Sequence, residues 1–267
     1  MAKKKSKSKL PRWTKILLAV VVLFALVIAV YENQKYFRRA YRYFSAKYIK
    51  TDWKKTDFPN AYTLHGIDVS HYQDEINWKL LKAIDTYGDT IDFRFVIIKA
   101  TEGLLIEDKR FDEYWEDVKT EKITRGAYHY FLPDRSPKIQ AANFINSVKL
   151  LKGDLPPIID IEETKGKNKK AIIKNLREFI AILEKTYRVR PIIYSNISFI
   201  EDYLVDDFAN YPFWIAHYYQ KELKVENDLK WVMWQHSDKA DLLGVKGQVD
   251  ANVFRGSEKE FKKLLMK

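Results

Sequence analysis

The feature that most constrains the fold is the alternation of strand-like and helix-like segments from residue 62 onward. Short runs rich in β-branched and aromatic residues are separated first by helical patterns and later by loops, which is typical of a sheet with crossover helices. We predict eight strands, at about residues 64–70, 93–100, 125–131, 156–163, 191–195, 213–217, 231–237 and 248–252. The predicted helices lie at about 78–87, 110–121, 136–150, 168–187, 197–204 and 257–266. This pattern predicts an α/β fold, a (β/α)-barrel whose last helices are reduced.

The stretch from Pro156 to Glu163, PPIIDIEE, carries the strongest chemical signal. Two prolines lead into a short apolar run, which is typical of a strand buried in a parallel sheet. Because side chains alternate along a strand, Asp160 and Glu162 point to one side and Ile159 and Ile161 to the other. Acids in such a strand are costly unless they are paired, hydrogen-bonded or protonated. The octet therefore favours an acid/base site, and the alternative is an acidic turn that caps the next helix.

Charge and cysteine content exclude several classes of function. The chain has 267 residues, no cysteine and a net charge of +11. A disulfide framework, a thiolate metal site and a cysteine nucleophile are therefore excluded. The first fifty residues carry an excess of twelve positive charges, which leaves the remaining chain near −1. We therefore expect no nucleic-acid partner.

The amino-terminal region contains an uninterrupted apolar run of fifteen residues, Ile16 to Val30. As a helix it is about 22 Å long, less than the roughly 30 Å hydrocarbon core, although flanking aromatic and lysine side chains extend its reach. We expect an uncleaved single-pass membrane anchor over residues 16–31, with basic residues 1–15 in the cytoplasm and the remaining chain periplasmic or extracellular. The alternative is a cleaved signal peptide, since Val27 and Ala29 suit the −3 and −1 positions.

Residues 32–60 are predicted to form a basic and aromatic stalk between the anchor and a barrel that occupies residues 61–267. Aromatic side chains recur there at helical spacing, at Phe37, Tyr41, Phe44 and Tyr48. Such a helix lies along a membrane surface, packs on the barrel, or is an ordinary amphipathic linker.

In a barrel of this kind, function belongs to the carboxyl ends of the strands. Acids, amides and aromatic rings follow the predicted strands at these ends, together with a few other polar residues. They are Asp68, Lys99, Glu102, Tyr128, Tyr130, Asp160, Glu162, Tyr194, Asn196, His217, Tyr218, Trp234, Gln235, Asp250 and Asn252. This inventory suits a carbohydrate, whose hydroxyls need polar partners and whose apolar faces stack on rings.

The sequence resembles the glycoside hydrolase family 25 lysozymes. The resemblance is carried by GIDVSHYQ, FVIIKATEG, GAYHYF, PPIIDIE, PIIYSN, FWIAHY, WQHS and VDANVF, in this order from about Leu64 to Phe254. It implies an irregular barrel of eight strands with about five helices, and hydrolysis of the β-1,4 bond between N-acetylmuramic acid and N-acetylglucosamine in peptidoglycan glycan strands.

The resemblance also implies catalytic roles for four acids. Glu162 is expected to be the general acid, and Asp160 to stabilise positive charge or orient the 2-acetamido group of the substrate. Asp68 and Asp250 are expected to bind substrate, hold the other acids or position water. Neighbouring carboxylates and partial burial would raise the pKa of Glu162 toward neutrality, as a proton donor requires.

Weaker expectations concern substrate binding. Sugar-contacting or substrate-binding roles are predicted for Tyr128, Tyr130, Tyr194, Trp234, Gln235 and Glu102. The alternative for each ring is packing inside the barrel, and for Glu102 it is a structural hydrogen bond to loop amides. No zinc-type histidine spacing is present, and we expect neither a metal nor a cofactor.

Two rival functions remain open. The first is a non-catalytic peptidoglycan-binding module that anchors an envelope complex. The second is a barrel hydrolase whose clustered carboxylates hold a divalent ion. Glycan binding without hydrolysis would favour the first, and activity lost on chelation would favour the second.

Overall fold

The computed structural model describes residues 11–32, 58–84, 90–218, 220–225 and 229–267. The chain divides into two compact units, Met1–Thr51 and Asp52–Lys267. The predicted stalk lies almost entirely outside the described residues, as do the first ten residues of the basic tail.

The described part of the first unit is one helix, α1, which spans Arg12–Glu32. It includes the apolar run, and many of its described apolar side chains are exposed. No helix in the described residues is long and apolar enough to cross a membrane. The predicted transmembrane anchor is therefore not supported, and the shortness of the apolar run gives the physical reason, because it rises only about 22 Å.

The described part of the second unit contains ten strands and several helices. The strands are β1 His65–Val69, β2 Lys82–Ile84, β3 Thr90–Glu102, β4 Ile106–Glu107, β5 Thr124–Tyr130, β6 Ile158–Asp160, β7 Ile192–Asn196, β8 Phe213–Ala216, β9 Trp231–Asp241 and β10 Gln248–Phe254. The helices are α2 Phe111–Thr120, α3 Pro137–Ser147, α4 Lys169–Tyr187, α5 Ile197–Phe199, α6 Val205–Phe208 and α7 Glu258–Leu264. A π-helical turn, Ile200–Leu204, joins α5 to α6.

Eight of the strands close into a barrel in the order β1, β10, β9, β8, β7, β6, β5 and β3, and β3 pairs with β1. The eight predicted strands are thus confirmed. Six neighbouring pairs are parallel, whereas β10 is antiparallel to both β9 and β1. Only residues 242–247 connect β9 to β10, and a parallel return needs a crossover of a dozen or more residues. The barrel is therefore mixed.

The predicted helix over residues 78–87 is wrong as far as its described residues show. The chain makes one 3₁₀ turn, Trp78–Leu80, and then enters β2, which pairs antiparallel with the first residues of β3. The side chains of Trp78, Leu81 and Ala83 are buried. Apolar spacing of this kind fits either a helix or an extended segment, and the pairing with β3 decides for the strand.

The barrel interior is filled by apolar side chains below a polar rim. The lower interior residues are Phe95, Ile97, Ile158, Ile192, Trp214, Met233 and Phe254, and all are buried. A Cβ atom on Gly66 would lie 2.2 Å from the ring of Phe95, so only glycine leaves room for that ring. Alternation along the strands then brings the next inward-facing residues to the top of the barrel.

Candidate active site

The four predicted acids meet at this rim. Asp68 of β1 is the register partner of Asp250 of β10, and Asp160 is the last residue of β6. Glu162 follows two residues later. The charge of Asp68 raises the pKa of each of the other three carboxyls, which shows that the four groups are close together.

Asp160 and Glu162 form a hydrogen-bonded carboxyl pair. In the register of the sheet Asp160 lies between Tyr130 and Tyr194. The Ile161 amide donates to the Tyr194 carbonyl at 3.1 Å, so extended geometry continues beyond β6 and keeps both carboxyls on one side. Burial raises the pKa of Glu162 and raises that of Asp160 well above its usual range. The pair therefore keeps a proton at higher pH than two free carboxyls would.

Asp160 has an unusual oxygen atom. Its Oδ1 is buried and has no hydrogen-bond partner within the part of the chain that the structure describes. A buried carboxylate oxygen without a donor is costly. This oxygen is therefore available to a donor group of a bound molecule.

Asp68 and Asp250 form a second hydrogen-bonded carboxyl pair. Asp68 Oδ1 accepts a bond from Gln235 Nε2 at 2.8 Å and one from Asn252 Nδ2 at 2.7 Å. Burial raises the pKa of Asp68, and these two amides oppose the rise. Burial and the charge of Asp68 together raise the pKa of Asp250 to about 9.

Gln235 links this pair to two tyrosines. Its Oε1 accepts bonds from the hydroxyls of Tyr194 and Tyr218, both at 2.7 Å. Its Nε2 donates to Asp250 Oδ2 at 3.2 Å as well as to Asp68. Gln235, which was predicted to bind substrate, therefore lies at the rim, and its amide contacts two acids and two tyrosine hydroxyls.

The predicted rings differ in position. Tyr128 and Tyr130 are partly exposed at the rim, and the hydroxyl of Tyr130 donates to Glu163 Oε1 at 2.7 Å. Tyr194 is 5 % exposed and its ring centroid lies 4.3 Å from that of Trp214, so most of its ring packs inside the barrel. The acids raise the pKa of Tyr128 and Tyr194 further than burial does alone.

The structure does not bring Trp234 to the acids, which corrects its predicted sugar contact. Trp234 is fully buried, and its Nε1 donates to the His217 carbonyl at 2.8 Å. Its ring lies 6.0 Å from that of Tyr62 in the layer outside the barrel. The physical reason is alternation along β9, because Gln235 points inward and its neighbour must point outward.

Lys99, which was expected at a strand end but had no predicted role, lies beside the acids. Its Nζ contacts Glu102 Oε2 at 2.6 Å and lies 5.1 Å from the centroid of the Tyr130 ring. Its charge opposes the rise in the pKa of Asp160. The sequence signal was its position near the end of the predicted strand at residues 93–100. Glu102 therefore holds a cation beside the acids.

Asp250 reaches the rim by a different route from the one expected. Asp250 was expected at the carboxyl end of the last strand. Because β10 runs antiparallel to its neighbours, its amino-terminal end lies at the rim instead. Asn252 follows on the same face and accepts a bond from Trp214 Nε1 at 2.8 Å.

No group of three or more histidine, aspartate or glutamate side chains is arranged to hold a metal ion in the described ranges. The acids instead bond to each other and to amides, and the charge of Lys99 acts on Asp160. The arrangement supplies two carboxyl pairs with raised pKa values, which suits proton transfer.

Comparisons with known proteins agree with this geometry. Residues 67–245 match the model of Glycosyl hydrolases family 25. Protein YegX of Escherichia coli (strain K12) is 39% identical over 203 residues, which are 76% of this chain and 73% of that protein. Lysozyme M1 of Streptomyces globisporus is 30% identical over 208 residues, 73% of this chain and 68% of that protein. The structure of a family 25 glycosyl hydrolase from Bacillus anthracis superposes with a TM-score of 0.70 and 30% identity, and covers 81% of this chain and 100% of that one.

Proposed function

The chain belongs to Glycosyl hydrolases family 25 and is a glycoside hydrolase, and from this premise we propose that it is a muramidase of peptidoglycan. The bond cleaved is the β-1,4 link from N-acetylmuramic acid to N-acetylglucosamine. A rim of acids, amides and tyrosines supports a sugar substrate.

The carboxyl pair of Asp160 and Glu162 is the observation that carries the proposal. Glu162 is the more exposed member, and burial raises its pKa, so it suits a proton donor that must reach the substrate. Asp160 is deeper, and its free Oδ1 suits the N–H of a 2-acetamido group. The two residues therefore take different roles.

In the proposed reaction Glu162 gives its proton to the glycosidic oxygen as the bond to the anomeric carbon breaks. Asp160, as the anion, stabilises the positive charge at that carbon, either directly or by holding the acetamido group so that its oxygen attacks. Water then adds at the anomeric carbon, and its proton returns to Glu162. Asp68 and Asp250 are placed to bind substrate or orient this water.

Peptidoglycan lies outside the cytoplasm, so we propose that the barrel acts in a periplasmic or extracellular compartment. The test of function is product analysis after digestion of defined peptidoglycan with the purified protein. A muramidase leaves N-acetylmuramic acid at each new reducing end. New ends of N-acetylglucosamine would contradict the proposal, and binding without any release would favour a non-catalytic anchor.

A further inference from the structure

Every hydrogen-bonding position of the Gln235 side chain is used. Its oxygen accepts from two phenol hydroxyls, Tyr194 and Tyr218, and its nitrogen donates to two carboxyls, Asp68 and Asp250. An amide has two acceptor sites and two N–H donors, so this side chain is fully satisfied. It is also 1 % exposed.

The orientation of this amide is fixed by its partners. Turning it over would place its oxygen against two carboxyls and its N–H groups against two hydroxyls. A phenol hydroxyl can accept as well as donate, so the charged carboxyl of Asp68 decides the orientation, because the amide oxygen would face it after a turn. Burial raises the pKa of both Tyr194 and Tyr218, so both hydroxyls keep the protons that they donate to Oε1. These two bonds add to the preference and hold the NH₂ group of Gln235 toward the acids.

The side-chain amides of Gln235 and Asn252 donate more and shorter hydrogen bonds to Asp68 than to Asp250. Asp68 accepts bonds from Gln235 at 2.8 Å and from Asn252 at 2.7 Å, both on Oδ1. Asp250 receives only the longer contact of 3.2 Å. Hydrogen bonds from N–H donors stabilise the charged form of a carboxyl. The negative charge is therefore favoured on Asp68 and the proton on Asp250.

We propose that Gln235 is a positioning residue that keeps the negative charge of the Asp68–Asp250 pair on Asp68, and that the hydroxyls of Tyr194 and Tyr218 fix the orientation of the Gln235 amide. This replaces the expected substrate-binding role of Gln235. The inference rests on the proposed function in one respect, namely that the charge on Asp68 helps Glu162 to keep its proton. Charge on Asp68 raises the pKa of Glu162.

The first experiment is the pH–rate profile of Gln235→Met on peptidoglycan. Without the N–H donors of Gln235 the bond from Asn252 to Asp68 remains, so the negative charge is held on Asp68 less strongly. Glu162 then loses its proton at lower pH, and the alkaline limb moves to lower pH. Removing one hydrogen bond to a charged group should lower kcat/KM roughly ten- to hundredfold at the pH optimum of the wild type.

The double variant Tyr194→Phe/Tyr218→Phe keeps Gln235 but removes the two hydroxyls that fix the orientation of its amide. We expect its alkaline limb to move to lower pH as well, but by less than in Gln235→Met. The control is Trp234→Phe, a change at the adjacent residue, which points outward. Its alkaline limb should lie at the same pH as that of the wild type.

A second readout does not depend on turnover. Carbon-13 NMR of labelled aspartate carboxyls follows the titration of Asp68 and Asp250 directly. In the wild type we expect Asp68 to ionise well before Asp250, and in Gln235→Met we expect the two titrations to approach each other. Unchanged titrations in Gln235→Met and in the double tyrosine variant would overturn the proposal. If the wild type does not cleave peptidoglycan but the titrations change as expected, the proposed function fails and the role of Gln235 stands.

Discussion

Asp160 and Glu162 leave the same side of one strand but differ in burial. Asp160 is 6 % exposed, whereas Glu162 is partly open to solvent. The hydrogen bond between the two carboxyls raises the pKa of Asp160 and lowers that of Glu162, so by itself it favours the proton on Asp160. The positive charge of Lys99, which Glu102 holds in place, opposes the rise in the pKa of Asp160. A proton donor at Glu162 therefore requires that Lys99, together with the N–H of a bound acetamido group, stabilises the anion of Asp160.

Lys99→Met is predicted to impair catalysis through Asp160. Loss of the positive charge raises the pKa of Asp160 further, so Asp160 becomes an anion only at higher pH. The acid limb of the pH–rate profile should then move to higher pH, and kcat at pH 7 should fall about tenfold or more. Lys99→Arg keeps the charge and should retain the wild-type limb. Equal profiles for Lys99→Met and the wild type would refute this role.

At the scale of elements, the reversed direction of β10 completes the site. Its amino-terminal half brings Asp250 beside Asp68 and Asn252 beside Gly66. Gly66 also matters for packing, because the absence of a side chain leaves room for the Phe95 ring inside the barrel. The floor beneath the acids therefore depends on a contact between β1 and β3.

Gly66→Ala is predicted to destabilise the barrel by overpacking. The added Cβ would lie 2.2 Å from the Phe95 ring, which cannot be accommodated without movement. We expect a loss of about 1–3 kcal/mol in the free energy of unfolding, measured by urea denaturation. The control is the double variant Gly66→Ala/Phe95→Leu. Adding Gly66→Ala to Phe95→Leu should lower the free energy of unfolding by less than adding Gly66→Ala to the wild type. Additive losses would show that the two residues do not clash.

At the scale of the whole molecule, the acid cluster makes stability depend on pH. Burial raises the pKa of all four carboxyls, so the folded chain keeps protons that the unfolded chain releases above about pH 4. The free energy of unfolding therefore falls as pH rises from that value through the folded-state pKa values, which is about 9 for Asp250. His129 and His236 act oppositely, because burial lowers the pKa of each from 6.5 to about 3 and stability is lost as pH falls through this window.

Asp250→Asn is predicted to stabilise the protein while it impairs catalysis. The amide cannot ionise, so the variant avoids the cost of keeping a buried carboxyl protonated at alkaline pH. We expect its Tm at pH 8 to exceed that of the wild type by roughly 3 °C or more, measured by circular dichroism. At pH 4 the difference should disappear, and a Tm gain equal at both pH values would contradict the electrostatic explanation.

The sequence predicted the eight strands and the barrel, and alternation along one strand placed Asp160 and Glu162 on the same face. The roles of the four acids were expected from the family resemblance and stay predictions. The short connection between β9 and β10 requires an antiparallel return, but the predicted strand ended at residue 237 and not at Asp241. The predicted connection was therefore longer than the real one, and the route of Asp250 to the rim was missed. Trp234 and Gln235 are neighbours, and only the shifted register between β9 and β10 decides which one faces inward. The bonds that give Lys99 and Gln235 their roles join residues far apart in the chain or on different strands, and single-strand patterns do not contain them.

The central claim is that Glu162 donates the proton, and kcat/KM on peptidoglycan tests it most directly. Glu163 offers a matched control, since it is the adjacent carboxylate but is exposed and pairs with Tyr130 and Lys165. We predict that Glu162→Gln lowers kcat/KM by about 10²–10⁴-fold, whereas Glu163→Gln stays within roughly threefold of the wild type. Undiminished turnover by a correctly folded Glu162→Gln would contradict the account.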